Sequence, residues 1–261
     1  MKKEDVMKKS ICFVFACAVI MLSFATASAE YLGSMEPVPL SKVWNVSMGI
    51  GYQYYSDKIE VGSTSFNLKQ NQIFLQLSAT KGNLEGYLRV GGADLRIDDA
   101  FNPNVSGGKR DFDDTFNAFL TAGGRGSIPV NPYLSINPFV QATFYPDFKD
   151  HTDGTVGSIP VRQELEVSFY KVEAGFFFQG NLKPVTIYAG PFVYWIQGDV
   201  EATTSSAGFQ PSFSGGSEFE EEGNIGGAAG IRIPIGGNFS VGIEAQYRQR
   251  FSAGGMINYS F

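Results

Sequence analysis

With 261 residues, 26 acidic against 20 basic side chains and a formal charge of −6, the chain argues against a nucleic-acid partner. Its two cysteines, Cys12 and Cys17, both lie ahead of residue 30, so the remainder can form no disulfide and holds no thiol nucleophile or thiolate metal site. Glycine and aromatics are abundant (31 Gly, 23 Phe, 12 Tyr, 2 Trp) at a mean hydropathy of −0.06, and no stretch beyond residue 24 approaches a helical membrane span.

Residues 1–29 have the three-part layout of a signal peptide. Lys2, Lys3, Lys8 and Lys9 precede an uncharged apolar run from Ile11 to Phe24, and Ala27-Ser28-Ala29 closes it, with cleavage expected before Glu30. The run is too short for a spanning helix, which needs roughly 20 residues. Its removal takes four lysines and two acids, leaving 16 basic against 24 acidic groups and a net charge near −8. The segment 30–41, EYLGSMEPVPLS, is too short for a domain and reads as an extended periplasmic lead-in to a single domain over 42–261.

From Trp44 onward the chain repeats with period two, the spacing of strands. In WNVSMGIGYQYY, Trp44, Val46, Met48, Ile50, Tyr52 and Tyr54 alternate with Asn45, Ser47, Gly49, Gly51 and Gln53. QIFLQLSAT sets Ile73, Leu75 and Leu77 against Gln72, Phe74 and Gln76, and LEGYLRV sets Leu84, Leu88 and Val90 against Glu85, Tyr87 and Arg89. FNAFLTAG, YLSINPFVQATF, YKVEAGFFF, VTIYAGPFVYW, NIGGAAGIRI, FSVGIEAQY and GMINYSF continue the pattern. Ten strands result, with eight or twelve as alternatives, near the roughly 9–11 residues of a tilted membrane strand. Pro138 and Pro191 fall mid-strand, where each removes a ladder donor, and bulges are expected there.

Connections alternate in length. Short turns are expected at Lys81–Asn83, Pro129–Pro132, Gly180–Pro184 and Gly236–Asn238. Long polar loops are expected at Asp98–Asp114, Pro146–Arg162 and Asp199–Glu222, with modest ones at Asp57–Asn67 and Gln249–Ala253. Short turns on one side and long loops on the other are the outer-membrane signature, with both termini periplasmic for an even strand count. Trp44, Tyr133, Phe178, Phe239, Tyr259 and Phe261 gather on outward positions near the short turns. Tyr52, Tyr54, Phe144, Tyr170, Trp195 and Tyr247 gather near the loops, as two headgroup girdles would. The fold class is therefore all-β, a single closed antiparallel up-and-down transmembrane β-barrel.

The final stretch GGMINYSF, with Ile257, Tyr259 and Phe261 on one face, resembles the small bacterial outer-membrane β-barrel family that includes the OmpA transmembrane domain and OmpX. That resemblance implies a Gram-negative outer-membrane location among lipids and lipopolysaccharide. It also implies periplasmic chaperones and the barrel-assembly machinery as biogenesis partners, with Tyr259 and Phe261 as the assembly signal. The chain departs from the family at Met256, where a glycine is usual; the glycines stand at 254 and 255.

Alternation aims Glu85, Arg89, Lys171, Glu173, Arg232, Glu244 and Arg248 toward the lumen. Opposite charges there must pair, since an isolated buried charge is costly. One reading is an ion-pair network that plugs the barrel. The other is a narrow, porin-like or gated pore, for which the small lumen residues Gly49, Gly51, Gly175, Gly190, Gly226, Ala228 and Gly230 leave room. No catalytic, cofactor or metal residue is expected. The sole histidine, His151, sits in KDHTDG. Omptin-type barrel proteases space their Asp–His and Asp–Asp pairs i, i+2, whereas Asp150-His151 and Asp98-Asp99 are neighbours that point to opposite sides. The acidic run Ser217–Glu222 lacks the spacing of a tight calcium loop. The Ser/Gly-rich stretch 203–217 offers Phe209 and Phe213 as contact residues. Three functions compete: a non-enzymatic envelope barrel passing small solutes slowly at most, a surface recognition or adhesion protein with an unknown ligand, and a rim enzyme. As a test of the assembly signal, Phe261→Ser should lower the yield of heat-modifiable, membrane-inserted protein, and an unchanged yield would count against it.

Overall fold

The computed structural model of the protein describes residues 44–102, 104–206, 209–221 and 223–261, and of 209–214 the backbone alone. The signal peptide at 1–29, the lead-in at 30–41 and the side chains of Phe209 and Phe213 lie outside the described residues. Twelve strand segments follow one another: β1 Asn45–Val61, β2 Thr64–Lys81, β3 Leu84–Ile97, β4 Phe112–Gly126, β5 Ile128–Asn131, β6 Leu134–Val156, β7 Ile159–Leu182, β8 Val185–Ser206, β9 Phe209–Glu221, β10 Ile225–Gly236, β11 Phe239–Tyr247 and β12 Phe251–Ser260.

Every pairing is antiparallel, and β12 closes onto β1 from Ser47↔Ser260 to Tyr54↔Ala253. β4 and β5 run in line against β6, and β9 and β10 run in line against β8, so the ring has ten walls, as the periodicity predicts. Closure leaves no open edge at membrane depth, which lipid could not satisfy.

The faces show the solvent for which the ring is built. Val46, Met48, Ile50, Ile73, Leu75, Leu77, Leu88, Val90, Leu120, Val140, Phe144 and Ile257 point outward and are 44–56% exposed, while Gln72, Gln76, Arg89, Thr121, Gln141, Lys171 and Glu173 point inward and are buried. Apolar outside and polar inside is stable only with hydrocarbon around it. Trp44, Tyr133 and Phe239 stay exposed at the short-turn end and Tyr52, Tyr170, Trp195 and Tyr247 at the other, with the Lys81 ammonium 5.3 Å from the Trp44 ring centroid.

Three of the expected loops are instead strand. The segments 146–156 and 159–162 extend the β6–β7 hairpin to a turn at Gly157, residues 199–206 and 209–221 extend β8–β9, and 57–61 with 64–67 extend β1–β2. The period of two never stops there; the polarity of the two faces reverses. Along β7, Tyr170 and Val172 face out and Lys171 and Glu173 in. Above them Glu164 and Glu166 face out and Leu165, Val167 and Phe169 in. A bulge at Pro146-Asp147 shifts β6 by one residue at that level and disguises the alternation. The expected bulges at Pro138 and Pro191 are absent. Asn137↔Phe177 and Phe139↔Gly175 keep one register through Pro138, and Gly190↔Ala228 and Phe192↔Gly226 keep one through Pro191. Pro138 instead faces the break between β4 and β5, where no donor is required of it.

Above the lipid the ring narrows. The β11–β12 hairpin stops at 247–251, and β1 passes over it to pair with β9 at Ile59↔Glu221, Glu60↔Glu220 and Val61↔Phe219. The loop 98–111 folds over this end: Phe101 is buried against Phe112, the Phe101 N–H donates to the Arg110 carbonyl (2.9 Å), and Ser106 bridges to Thr155. Within it the Asp99 N–H and the Arg96 guanidinium hold the Asp111 carboxyl below the usual carboxylate range. For orientation, single cysteines at Gly107, Asp153 or Gly215 should react with impermeant thiol reagents on intact cells, and one at Gly237 should not. Labelling confined to Gly237 would invert the barrel.

Candidate functional site

The lumen is filled in layers. At the short-turn end, Arg125 meets Glu85 at 2.6 Å, Asn137 donates to Gln179 (2.7 Å), and Arg232 Nε donates to Ser240 (3.0 Å). One layer up, Arg89 Nε donates to Gln76 (2.6 Å) and its guanidinium lies 4.9 Å from the Tyr87 ring centroid and 5.2 Å from that of Phe74. The Tyr87 hydroxyl donates to Gln141 (2.6 Å), whose amide donates to Glu173 (2.5 Å).

Glu173 accepts from Arg248, the hub of the next layer. That guanidinium also stands 3.8 Å from Asp57 and sits among the rings of Tyr194, Tyr55 and Phe192 at 4.7, 4.9 and 5.2 Å. It also donates to Gln246 (3.3 Å), which donates in turn to Glu244 (2.8 Å), and Glu244 accepts from Tyr188 as well (2.5 Å). Lys171 lies 4.3 Å from the Tyr55 ring, and the Tyr55 hydroxyl donates to Asp57 (2.9 Å). Above this level the interior is apolar: Ile59, Leu68, Leu95, Ile97, Phe112, Phe148, Val167, Phe169 and Phe219 form one buried cluster, with Tyr145 stacked on Phe169 at 4.4 Å.

Glu85, Arg89, Lys171, Glu173, Glu244 and Arg248 are thus all buried, while Arg232 is half-buried nearer the short turns. Hydrogen bonds and cation–ring contacts link Glu85 through Arg125, Tyr87, Gln141, Glu173, Arg248 and Gln246 to Glu244. Sequence reasoning missed Arg125 and Asp57 because both lie just past where the strands were taken to end. Continuing the alternation from Thr121 through Gly123, or from Gln53 through Tyr55, would have found them. The linking tyrosines and glutamines carry no charge, and nothing in their spacing marks them.

The small lumen residues do not leave the room expected of them. A Cβ built on Gly51, Gly123 or Gly230 would overlap the ring of Phe74, Tyr87 or Tyr188, and one on Gly226 would lie 2.5 Å from Phe192. Each glycine stands directly across the ladder from its ring, at Gly51↔Phe74, Gly123↔Tyr87, Gly230↔Tyr188 and Gly226↔Phe192. The absent side chain lets the ring lie flat over the neighbouring strand and fill the bore.

On the outer wall, His151 Nε2 is 3.9 Å from Asp153, whereas Asp150 turns to the other side of β6 and accepts from Lys109 (2.5 Å) and the Asp113 N–H (2.7 Å). Among the described residues no three His, Cys, Asp or Glu side chains converge as metal ligands would.

Fold and interior together define an integral membrane β-barrel with buried charges in its interior. No known protein family matches the sequence, and no curated protein does. Among solved structures, the translocator domain of the autotransporter NalP from Neisseria meningitidis is similar with a TM-score of 0.46 at 10% identity, covering 85% of this chain and 89% of that one. The outer-membrane protease OmpT from Escherichia coli is similar with a TM-score of 0.46 at 11% identity, covering 87% and 96%. Ail of Yersinia pestis gives 0.30 at 15% identity, covering 84% and 99%. At these values the likeness carries nothing about activity.

The pairing of glycines with rings has a direct test. Gly123→Ala should lower unfolding stability by about 1–3 kcal/mol, the usual cost of overpacking a filled core. Gly86→Ala, on the outer face with no atom within 4 Å of the added methyl, should not. Equal denaturant midpoints for the two variants would show the ring free to move aside.

Proposed function

We propose that the chain is a non-enzymatic barrel of the Gram-negative outer membrane whose lumen is closed, so that it passes small solutes slowly at most. The observation that carries this reading is the interior itself. Arg89, Tyr55, Tyr145, Tyr194, Phe74, Phe192 and Lys171 are among the largest side chains of the molecule, and each lies within the ring at under 2% exposure. Kinship with OmpA-domain and OmpX-like barrels belongs to the same proposal and rests on the Tyr259/Phe261 pattern. So does the absence of catalysis: His151 lies on the outer wall, and its nearest carboxylate is 3.9 Å away.

A second reading, surface recognition, is favoured by the strands above the lipid. From Phe144 to Val156, β6 continues for twelve residues, about 40 Å of strand, and β7, β8 and β9 rise with it. A plugged barrel carrying a projecting four-stranded sheet suits an anchored binding protein.

Purified protein in planar bilayers should show low single-channel conductance. Glu173→Ala or Arg248→Ala leaves a buried opposite charge uncompensated, which should cost about 3–5 kcal/mol of stability and raise conductance. A large, steady conductance in the unaltered protein would reject the closed lumen.

A further inference from the structure

β9 pairs with β8 along its length, but on its other side it meets β1 only over Phe219–Glu221, because β1 turns back at Gly62. Among the described residues no strand lies against that edge from 209 to Glu218, about 33 Å of chain. Such an edge offers N–H and C=O groups at alternate residues to any further strand. The usual shields are thin. β9 has no lysine or arginine and a single proline, Pro211, and Gly215 and Gly216 open onto empty space.

The outer face beside the edge is under electrostatic stress. Glu166 stands directly across from Glu201, Asp199 from Glu218, and Glu60 from Glu220, and like charges so placed destabilise a sheet. Lys149 meets Glu166 at 2.8 Å, but among the described residues Asp199, Glu201, Glu218 and Glu220 have no cation within 4 Å. A shallow hollow of about 370 Å³ runs between these carboxylates and reaches the edge at Gly216. A strand that brought positive side chains to this face would relieve the repulsion.

We propose that the free edge of β9 captures an extended, lysine- or arginine-rich segment of another protein, which adds to the sheet as its next strand and lays its cations against Glu201 and Glu218. The proposal rests on the projecting sheet being a recognition surface. A second copy of this chain is a poor occupant, since its own β9 edge carries no lysine or arginine to set against these carboxylates. A bare metal ion is no better, because no three acidic groups converge here among the described residues.

The experiment uses folded barrel in detergent micelles and a fluorescent ten-residue peptide of alternating lysine and valine, read by anisotropy. Binding should be saturable, at least tenfold weaker for Glu201→Lys/Glu218→Lys, and undetectable for a glutamate–valine peptide. N-methylation at alternate peptide nitrogens keeps every charge and removes the donors, and it should also weaken binding at least tenfold. Undiminished binding of the N-methylated peptide would overturn strand addition, leaving a merely charged surface. Equal binding to a barrel whose residues 200–217 are replaced by a short turn would overturn the recognition role of the sheet as well. Failure of the lysine peptide to bind, or self-association of the barrel that excludes it, would reject the proposed occupant.

Discussion

In hydrocarbon a peptide N–H or C=O has no partner but another peptide, and the whole molecule is arranged around that fact. The sheet must close, so β12 returns to β1, and the only freedom left is what each face of the wall carries. At the level of Leu75, Val90 and Val140 the outer face is apolar and the inner face polar. Where lipid ends the same strands continue in water, and the faces exchange character between Phe169 and Tyr170 on β7. One continuous ladder therefore serves two solvents. Because β11 and β12 stop early, closure above the membrane passes to the β1–β9 pairing, and the upper ring draws in around an apolar core.

A small ring has an interior that its own side chains can fill. Here part of the filling is done by pairing a large ring with a glycine across the ladder, which lets Phe74, Tyr87, Tyr188 and Phe192 lie along the wall rather than collide. The charges then occupy what space remains. Turned outward at mid-depth, an Arg or Lys would cost roughly 2–4 kcal/mol, so the inward face is their lower-energy place. There Arg248 pairs with Glu173, stands 3.8 Å from Asp57 and lies among three aromatic rings, and Glu85 pairs with Arg125. Such a network adds little net stability over an apolar core, but it is intolerant of losing one member.

The two halves consequently differ in what they can do. The membrane half buries its charges among packed side chains and, on the reading proposed above, serves as an anchor. The upper half is a sheet with charged outer rows, an edge that no strand covers among the described residues, and facing carboxylates, Asp199 across from Glu218 and Glu201 across from Glu166, of which only Glu166 meets a cation among the described residues. On the outer wall His151 stands 3.9 Å from Asp153, while its neighbour Asp150 braces the seam between β4 and β6.

The period-two pattern pointed to ten walls, with eight or twelve left open, and to the face of each that meets lipid, because alternation in a strand is dictated by backbone geometry whatever the side chain packs against. It also placed the short turns at Gly82 and Gly237, which adopt positive φ, whereas the turn expected at Pro129–Pro132 falls at 132–133, after β5. Three things needed the assembled barrel. The strands run on past Phe144 and Tyr170, which was illegible because a reversal of face polarity looks like the end of a strand, and the Pro146-Asp147 bulge breaks the count. The lumen glycines are covered by rings rather than open, because whether a lumen glycine leaves space depends on the residue across the ladder, and register is a property of pairs. The joining of Glu173 to Arg248, 75 residues apart, and of Asp57 to the same guanidinium is likewise a matter of which strands closure brings face to face.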